Sequence, residues 1–310
     1  MSKPQSPTMP SISVCPICGG TQANHFYSKN NYNIARCSTC NMLYVNPIPS
    51  DTELEAHYQD PAYYEGAEEQ GYCCYADMKK ALVPHFARRL RAVAAHLPNR
   101  GRLLDFGCAA GYFLEMARAD GWQIDGIELA QDMARQTSEI LSITIVSSLD
   151  MLNEHGFDVI TLWEVIEHLP RPVEQLRQLY ERLRPGGLLM LSTPNTGHWQ
   201  AVRDPDAWTG YRPPSHLLHF TARTLEDALR RAGFERIEVR RVSPLPPLPD
   251  WLRRWSAPLQ YQLATGQAKA WSVALFAWRV IRVMGWGWQQ LAYRHDDIFT
   301  TLEAIAFRPA

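Results

Sequence analysis

The regular alternation of short apolar runs with amphipathic stretches constrains the fold of this chain more than any other feature. From about residue 81, strand-like runs such as Arg102–Phe106 and Phe157–Trp163 are separated by helix-like segments of about 10 to 15 residues. Parallel strands need such crossovers, and the helices that make them cover both faces of the sheet. We therefore predict an α/β fold with a central parallel sheet, to which Thr301–Phe307 returns as a last strand.

Turn and cap residues predict where individual elements begin and end. Thr221 is a typical helix N-cap and Gly233 is a typical helix stop, so we expect a helix between them. Pro185-Gly186-Gly187 predicts a turn that leads into a strand at Leu188–Ser192.

Length and composition exclude several classes of protein. The 310 residues are 46% apolar and carry a net charge of −1, so the chain can bury a large core. This excludes a disordered chain, a disulfide miniprotein and a uniformly basic nucleic-acid coat. The N-terminus contains no apolar stretch of signal-peptide length. We expect a cytoplasmic protein, or one that is peripheral to the inner face of the membrane.

Two Cys-x2-Cys pairs near the N-terminus predict a metal site. Eighteen residues separate the pairs, which is the spacing of a zinc ribbon. Two such pairs close a tetrahedral sulfur shell that suits structural Zn²⁺ and leaves no open position for catalysis. Redox thiols, plain buried cysteines and an iron–sulfur centre are the alternatives. The predicted ligands are Cys15, Cys18, Cys37 and Cys40.

A loop of small residues follows the first strand of the predicted sheet. The strand ends in Asp105-Phe106 and runs into Gly107-Cys108-Ala109-Ala110-Gly111, where the backbone can approach a ligand closely. The glycine spacing differs from the dinucleotide fingerprint. Asp105 suits an ammonium group rather than a pyrophosphate. Glu128 ends the next strand, and a carboxylate there can accept hydrogen bonds from both ribose hydroxyls.

With these residues in place, the chain resembles the class I S-adenosylmethionine-dependent methyltransferases. The resemblance is carried by LLDFGCAAGYF, IDGIEL, FDVITLWEVIEHL and LRPGGLLMLSTPN. It is strongest to the group that includes ubiquinone-biosynthesis O-methyltransferases and tailoring enzymes of sugars and secondary metabolites. The Cys-rich head, with YVNPIPSDTELEAHY and PAYYEG after it, is similar to the zinc-ribbon-headed branch. The resemblance covers residues 14–243 and the last strand, and it implies a Rossmann-like sheet with helices on both faces.

The resemblance also implies roles for individual residues toward S-adenosylmethionine. Glu128 would hold the ribose, with Leu129 against the adenine, and Trp163 would lie beside the sulfonium. Ala109 replaces a glycine found in many members, and its small side chain should still allow the loop to close. The cofactor contacts implied in this way are Asp105, Phe106, Gly107, Cys108, Gly111, Glu128, Leu129, Ser148, Leu149 and Trp163.

The acceptor side is predicted from the sequence Glu164-Val-Ile-Glu167-His168. Offsets of three and four residues place its polar groups on one helical face. His168 could act as a general base, because its ordinary pKa is about 6.5. Alternatively the group binds Mg²⁺ or Mn²⁺, completed by His216 or His219, or it is purely structural. The candidate catalytic residues are Glu164, Glu167, His168 and His216, and the last has loop packing as its alternative.

Three aromatic residues of the loop before Thr221 are ambiguous. Trp199, Trp208 and Tyr211 could stack on a sugar or aromatic acceptor, or form the core of the loop itself.

The segment 251–294 differs from the rest of the chain in charge. It contains six basic residues, no acidic residue and six of the ten Trp, so the remainder carries −7. Its longest apolar run is too short for a bilayer crossing of about 20 residues. The segment suits an interfacial helix on anionic lipid or a lid over a lipid-linked acceptor. A helical insertion packed on the domain or at a dimer interface is the alternative.

The patterns together predict six parts of the chain and one activity. We expect methyl transfer from S-adenosylmethionine to a small-molecule acceptor, a hydroxyl of a sugar, glycan precursor or secondary metabolite. An RNA or protein methyltransferase and a non-catalytic cofactor-binding scaffold are the alternatives, and the acidic remainder of the chain argues against nucleic acid. The predicted parts are a disordered tail (1–13), a zinc ribbon (14–46), a Tyr-rich connector (47–80), the cofactor-binding core (81–243), a Trp-rich basic helical insertion (244–296) and a final strand with the C-terminus (297–310).

Overall fold

The structure is a computed structural model. It describes residues 14–60, 79–152, 154–242 and 293–310, together with 280, 283–285, 287 and 291. The predicted tail 1–13, residues 61–78 of the connector and residues 243–279 of the core end and insertion lie outside the described residues.

Strands and helices follow one another along the described chain. The strands are β1 (Ala23–Lys29), β2 (Tyr32–Cys37), β3 (Leu43–Val45), β4 (Arg102–Phe106), β5 (Gln123–Ile127), β6 (Ile145–Val146), β7 (Phe157–Trp163), β8 (Leu183–Pro194), β9 (Leu218–His219), β10 (Glu235–Val242) and β11 (Thr301–Phe307). The helices are α1 (Asp51–Gln59), α2 (Lys79–His96), α3 (Tyr112–Ala119), α4 (Gln131–Leu141), α5 (Pro172–Arg182), α6 (Trp199–Arg203) and α7 (Ala222–Ala232).

The large sheet is mostly parallel, as predicted. Within the described residues, seven strands form it in the order β10-β11-β8-β7-β4-β5-β6. The strands from β6 to β8 are parallel, whereas β11 runs antiparallel to both of its neighbours. The strand order reverses between β4 and β7, and ligands of open α/β sheets bind outside the carboxyl ends of the strands at such a point.

Apolar residues cover both faces of this sheet. Leu103 and Leu104 of β4 are both fully buried, and they belong to two different clusters of core residues. Val159 and Ile160 of β7 divide in the same way. Consecutive residues of a strand point to opposite faces, so the uninterrupted apolar runs in the sequence reflect a sheet buried on both sides.

Cap and turn residues predicted the ends of one helix correctly and the start of one strand incorrectly. Thr221 caps α7 by accepting from the backbone N–H of Thr224, and Gly233 ends it with φ of 103°, so this prediction is confirmed. The predicted turn at Pro185-Gly186-Gly187 is wrong as a boundary, because β8 runs through it and its pairing with β7 shifts there. A Cβ on Gly187 would lie 2.9 Å from the carbonyl oxygen of Arg184, so the irregularity requires glycine.

The N-terminal strands form a second sheet that includes a strand from the core. Its described strands run in the order β1-β2-β3-β9, all antiparallel. The β8–α7 connection, residues 195–221, supplies β9, and the Val45 N–H donates to the Leu217 carbonyl at 2.8 Å. The Leu217 N–H donates to the carbonyl of Glu167 at 2.8 Å. Main-chain hydrogen bonds therefore link the Cys-rich head to the end of β7.

None of the helices in the described part of the chain combines the length and apolar character that a membrane crossing requires.

Candidate active site

The loop after β4 needs glycine at both ends. Gly107 has φ of 81°, and a Cβ there would lie 2.6 Å from Cγ2 of Val165. Gly111 has φ of 70°, and a Cβ there would lie 2.7 Å from Cγ2 of Thr137. Ala109 also adopts a left-handed conformation, with φ of 45°. The loop closes around alanine at a conformational cost of about 1 kcal/mol.

Glu128 follows β5 and holds this loop in place. Its Oε2 accepts the N–H of Ala109 and its Oε1 accepts the N–H of Ala130, both at 2.9 Å. The residue is 5% exposed, yet it lines a cavity. The carboxylate therefore braces two backbone segments while it remains accessible from the cavity, and this bracing role was not predicted.

One cavity of about 800 Å³ lies at the carboxyl ends of the parallel strands. Part of its wall comes from α1 and α5, two helices that were not predicted to contribute to a site; Tyr58 and Gln175 are examples. The predicted site residues that line it are Phe106, Gly107, Glu128, Leu129, Ser148, Leu149, Trp163, Glu164 and His168. The predicted site residues that do not line it are Asp105, Cys108, Gly111, Glu167 and His216.

Asp105 lies directly behind the loop. It is 2% exposed, and Thr161 on β7 donates its hydroxyl to Oδ1 at 2.6 Å. Burial raises the pKa of Asp105 to about 7, although Thr161 and Arg89 act to lower it. The Cys108 side chain is buried in the core, and burial raises the pKa of its thiol. Cys108 therefore supports the loop from the core side and does not line the cavity.

Glu164 begins the acceptor side in a left-handed conformation. Its φ is 57°, and its N–H lies 3.1 Å from the carbonyl oxygen and 3.2 Å from the hydroxyl oxygen of Ser192. Its side chain is one-third exposed, and Oε1 lies 3.7 Å from the Arg89 guanidinium. Enclosure by the cavity walls raises the pKa of Glu164, and the Arg89 charge partly offsets this effect.

Arg89 is a buried cation that sequence reasoning missed. It lies on α2 and donates to the Ser192 hydroxyl at 2.9 Å and to Glu303 at 3.1 Å. Its guanidinium also lies 4.5 Å from the centre of the Trp163 ring. The available signal was the basic stretch before β4, which does not show which arginine turns inward. Arg89 holds both Trp163 and Glu164 at the end of β7.

Glu164, Glu167 and His168 do not share one helical face, so this expectation is wrong. The backbone at Glu164 breaks the helical path, and only a short 3₁₀ segment, Ile166–His168, follows. The ligand atoms of Glu167, His168 and His216 instead lie within 4.8 Å of one another. The long β8–α7 connection brings His216 back over this turn, and the two imidazole rings meet edge to face at 4.9 Å.

The groups of this cluster are all poorly solvated. Glu167 is 1% exposed, and neither of its carboxylate oxygens has a hydrogen-bond partner among the described residues. Burial, and secondarily Glu164, raises the pKa of Glu167 well above its usual range. Burial lowers the pKa of His168 to about 4 and that of His216 well below its ordinary value. Both imidazoles are therefore neutral at neutral pH.

One residue of α1 contacts this cluster and a second contacts Ser215 beside it, and neither contact was predicted. The Tyr58 hydroxyl lies 3.0 Å from Nδ1 of His168 and donates to the carbonyl of Ser215 at 3.3 Å. Nε2 of His57 lies 2.9 Å from the Ser215 hydroxyl. The sequence marked this region only as rich in tyrosine, because no local pattern reveals a contact with a residue so distant in the chain.

The aromatic residues of the β8–α7 connection form its own core. Trp208 is 4% exposed and Tyr211 is fully buried, which leaves neither free to stack on an acceptor. Trp199 stacks on Tyr293 with ring centres 4.2 Å apart. His219 is 2% exposed and lies outside the His168 cluster, so His216 is the histidine that completes it.

The four predicted cysteine ligands converge as free thiols. Sγ of Cys15 lies 3.5 Å from that of Cys40, and Sγ of Cys18 lies 3.5 Å from that of Cys37. Tetrahedral zinc with Zn–S bonds of about 2.3 Å requires sulfur atoms about 3.8 Å apart, so the donor set fits Zn²⁺. The buried Tyr44 hydroxyl has no hydrogen-bond partner in the described part of the chain. Burial, together with the thiolate charges, raises the pKa of Tyr44 to about 12.

Three features of the site belong together: the order of the strands in the large sheet, the glycine loop after β4, and the carboxylates of Asp105 and Glu128 beside that loop. They define a class I S-adenosylmethionine-dependent methyltransferase, and comparison with known proteins agrees. The chain belongs to the family described as Methyltransferase domain, whose sequence model matches residues 78–239.

Two of the curated relatives that the chain resembles carry the same name. A ubiquinone biosynthesis O-methyltransferase of Xanthomonas campestris pv. campestris (strain B100) is 34% identical over 163 residues, which cover 49% of this chain and 67% of the relative. An enzyme of the same name from Nitrosospira multiformis is 31% identical over 118 residues, which cover 34% of this chain and 49% of that relative.

Solved structures support the fold. A SAM-dependent methyltransferase from Archaeoglobus fulgidus superposes with a TM-score of 0.51 at 20% identity, covering 80% of this chain and all of that one. Phosphoethanolamine N-methyltransferase 2 of Haemonchus contortus, solved with S-adenosyl-L-methionine, superposes with a TM-score of 0.51 at 17% identity. This match covers 92% of the present chain and 71% of that one. At these identities the likeness establishes the Rossmann-like fold alone.

Proposed function

We propose that the protein methylates a hydroxyl group of a small-molecule acceptor such as a sugar, glycan precursor or secondary metabolite. The observation that carries the proposal is a single cavity that reaches from Glu128 to His168 and Tyr58. A cofactor bound at Glu128 and an acceptor bound at His168 and Tyr58 would then occupy the same cavity and could contact each other. The relatives named as O-methyltransferases support oxygen as the methylated atom.

S-adenosylmethionine, when bound, supplies a methyl group that its sulfonium charge has already activated. Glu128 would accept hydrogen bonds from the ribose hydroxyls, and Leu129, which is 44% exposed, offers apolar surface to the adenine. Asp105 lies where it can attract an ammonium group from behind the loop. Trp163 and Glu164 line the passage toward the acceptor. These residues position the reactants and exclude water, which is much of what this displacement requires.

His168 is the residue we assign to remove the acceptor proton. A hydroxyl becomes far more acidic while its oxygen bonds to the methyl carbon, so a weak but neutral base is sufficient. With a pKa of about 4, the His168 imidazole is neutral and ready to accept that proton at neutral pH. Glu167 and His216 flank it within the buried cluster.

A divalent cation is the alternative role for this cluster. One carboxylate and two imidazoles converge, and Glu167 is a buried acid whose oxygens lack partners in the described structure, which fits a cation. Glu164, which the sequence analysis included, is not among the convergent groups. Imidazole-rich sets suit metals such as zinc, iron or nickel better than Mg²⁺ or Mn²⁺, the two ions that the sequence left open as an alternative for this group. Such an ion would supply positive charge to a bound hydroxyl.

The parts of the chain are proposed to divide this work. Residues 14–46 form a zinc ribbon with one structural Zn²⁺, and residues 81–243 with the last strand hold the cofactor. Lipid contact by the basic segment 251–294 remains a prediction, since residues 251–279 lie outside the described structure. Of its described residues, Val283, Met284 and Leu291 are each more than two-thirds exposed.

Binding of S-adenosylmethionine is expected to weaken by about tenfold between pH 7 and pH 5.5. An ammonium group is attracted to ionised Asp105, and the pKa of about 7 in the free protein means that lower pH protonates this carboxyl. The ligand ammonium itself stays charged over this range. Titration calorimetry at the two pH values measures the effect. Asp105→Asn should bind weakly at both, and a wild-type affinity that does not change with pH would remove Asp105 from the cofactor site.

Transfer of an isotopically labelled methyl group tests the proposed activity. The protein is incubated with S-adenosylmethionine carrying a ¹³C methyl group and with separate pools of nucleotide sugars, polyhydroxylated aromatics, RNA and protein. We expect labelled product only from the small molecules, with the ¹³C chemical shift of an O-methyl group, and none with His168→Gln. An N- or C-methyl product, or a labelled macromolecule, would contradict the proposal, and a chelator arm reports whether a cation is required.

A further inference from the structure

A short hydrogen-bond chain connects α1 to the His168 imidazole. The Tyr58 hydroxyl lies 3.0 Å from Nδ1 of His168 and 3.3 Å from the carbonyl oxygen of Ser215. A carbonyl oxygen can only accept a hydrogen bond, and a tyrosine hydroxyl has a single proton to donate. When that proton is directed to Ser215, the Tyr58 oxygen can only accept from His168.

The direction of this chain decides which imidazole nitrogen carries the proton. A neutral imidazole has one N–H and one lone pair, and the hydrogen bond made by one nitrogen sets the state of the other. An Nδ1–H donated to Tyr58 leaves the lone pair on Nε2. A base needs a free lone pair, and so does a metal ligand, so the tautomer matters for either role of His168.

Tyr58 is held firmly enough to select a tautomer. Ser50 and Glu53 form a capping box at the start of α1, and Leu54 is 5% exposed on its inner face. At the other end of α1, the side chain of Gln59 donates to the carbonyl of Leu129 at 3.1 Å. The helix is therefore fixed at both ends, with Tyr58 between His168 and the β8–α7 connection.

We propose that Tyr58 is a positioning residue that holds His168 as the Nδ1–H tautomer, so that Nε2 keeps the lone pair. The proposal deepens the proposed function and rests on His168 acting at the acceptor. Tyr58 itself is assigned no proton transfer to the substrate. Its contribution is to keep one orientation and one tautomer of the imidazole populated before the acceptor arrives.

Nitrogen NMR of histidine-labelled protein tests the tautomer independently of turnover. Long-range ¹H–¹⁵N correlation spectra at neutral pH distinguish a protonated from an unprotonated ring nitrogen, and loss of signals in His168→Gln assigns the residue. We expect the wild type to show a protonated Nδ1 and an unprotonated Nε2. Tyr58→Phe should shift both signals toward values averaged between the tautomers. It should also lower kcat about 10- to 100-fold while the KM for S-adenosylmethionine is unchanged.

Tyr180→Phe is the matched control, because Tyr180 packs against Phe234 far from His168 and its hydroxyl has no role in the proposal. Its His168 signals and its turnover should equal those of the wild type. A wild-type His168 with the proton on Nε2, or Tyr58→Phe spectra identical to the wild type, would overturn the proposal. Absence of turnover on every acceptor would refute the proposed function instead, because the tautomer is measured without substrate.

Discussion

Glu128→Ala is expected to weaken S-adenosylmethionine binding by about 100-fold or more. Under the proposed function, the variant would remove two charge-assisted hydrogen bonds to the ribose, worth together about 3 kcal/mol. It also leaves the Ala109 and Ala130 N–H groups without their carboxylate acceptor, so the glycine loop loses the group that braces it. Isothermal titration gives the affinity, and thermal unfolding gives the accompanying loss of stability.

Asp125→Asn serves as the control for this experiment. Asp125 lies on the same strand, β5, but pairs with Arg102 at 3.0 Å and does not line the cavity. Its affinity should remain within about twofold of wild type, because the Asp125 side chain has no proposed contact with the cofactor. Loss of the partly exposed ion pair should cost at most about 1 kcal/mol of stability. Glu128→Gln should lie between the two, because one amide oxygen can still accept. A Glu128→Ala variant that binds as tightly as the wild type would show that the ribose lies elsewhere.

Cys37→Ser is expected to reduce bound zinc from about one ion per chain to nearly none. Structural zinc contributes an apparent 10 to 16 kcal/mol of binding free energy, roughly as much as the whole stability of a domain. Cys37 is fully buried and ends β2, so the sheet that contains β3 and β9 should loosen with it. We expect limited proteolysis within residues 14–60 and at least a 100-fold loss of acceptor turnover.

The same variant should keep most of its affinity for S-adenosylmethionine. Glu128 and the glycine loop belong to the large sheet, and one face of that sheet is covered by a core cluster that contains no residue of 14–60. The other face shares its core with the Cys-rich head, so we expect the variant to lose some stability there. This difference between acceptor turnover and cofactor binding separates a local effect of the ribbon from global unfolding. Metal analysis of protein purified without oxygen gives the zinc content, and Cys73→Ser, which removes a thiol outside the four, is the control. Wild-type protein without zinc would refute the ribbon, and a metal-free variant with full turnover would refute its link to the acceptor side.

The sequence predicted the elements whose signals are local. Strand β4 and strand β7 have the predicted bounds, because each is an apolar run that ends at turn residues. Helix α7 has the predicted caps for a similar reason: an N-cap and a left-handed glycine act within a few residues of the helix ends. The part of the cavity wall formed by Phe106, Gly107, Glu128 and Leu129 was also predicted, because these residues lie at the ends of β4 and β5.

Contacts between distant segments could not be predicted in this way. Strand β9 has two residues, and only its partner β3, far away in the chain, makes it a strand. Tyr58 contacts His168, and Arg89 contacts Glu164 and Glu303. In each case the partners are far apart in the chain, so no local pattern predicts the contact. The helical offsets of Glu164, Glu167 and His168 failed because the backbone at Glu164 is left-handed, and residue spacing does not reveal that conformation.

The pairing of β3 with β9 has a consequence for transplanting acceptor preference between relatives. If only the β8–α7 connection were exchanged, a β9 strand from the relative would have to pair with the native β3. The histidine that replaces His216 would then be positioned by a strand pair whose two members come from different proteins. Residues 14–60 and 195–221 form one structural unit, although they are far apart in the gene. A functional chimera therefore has to carry both segments from the same parent.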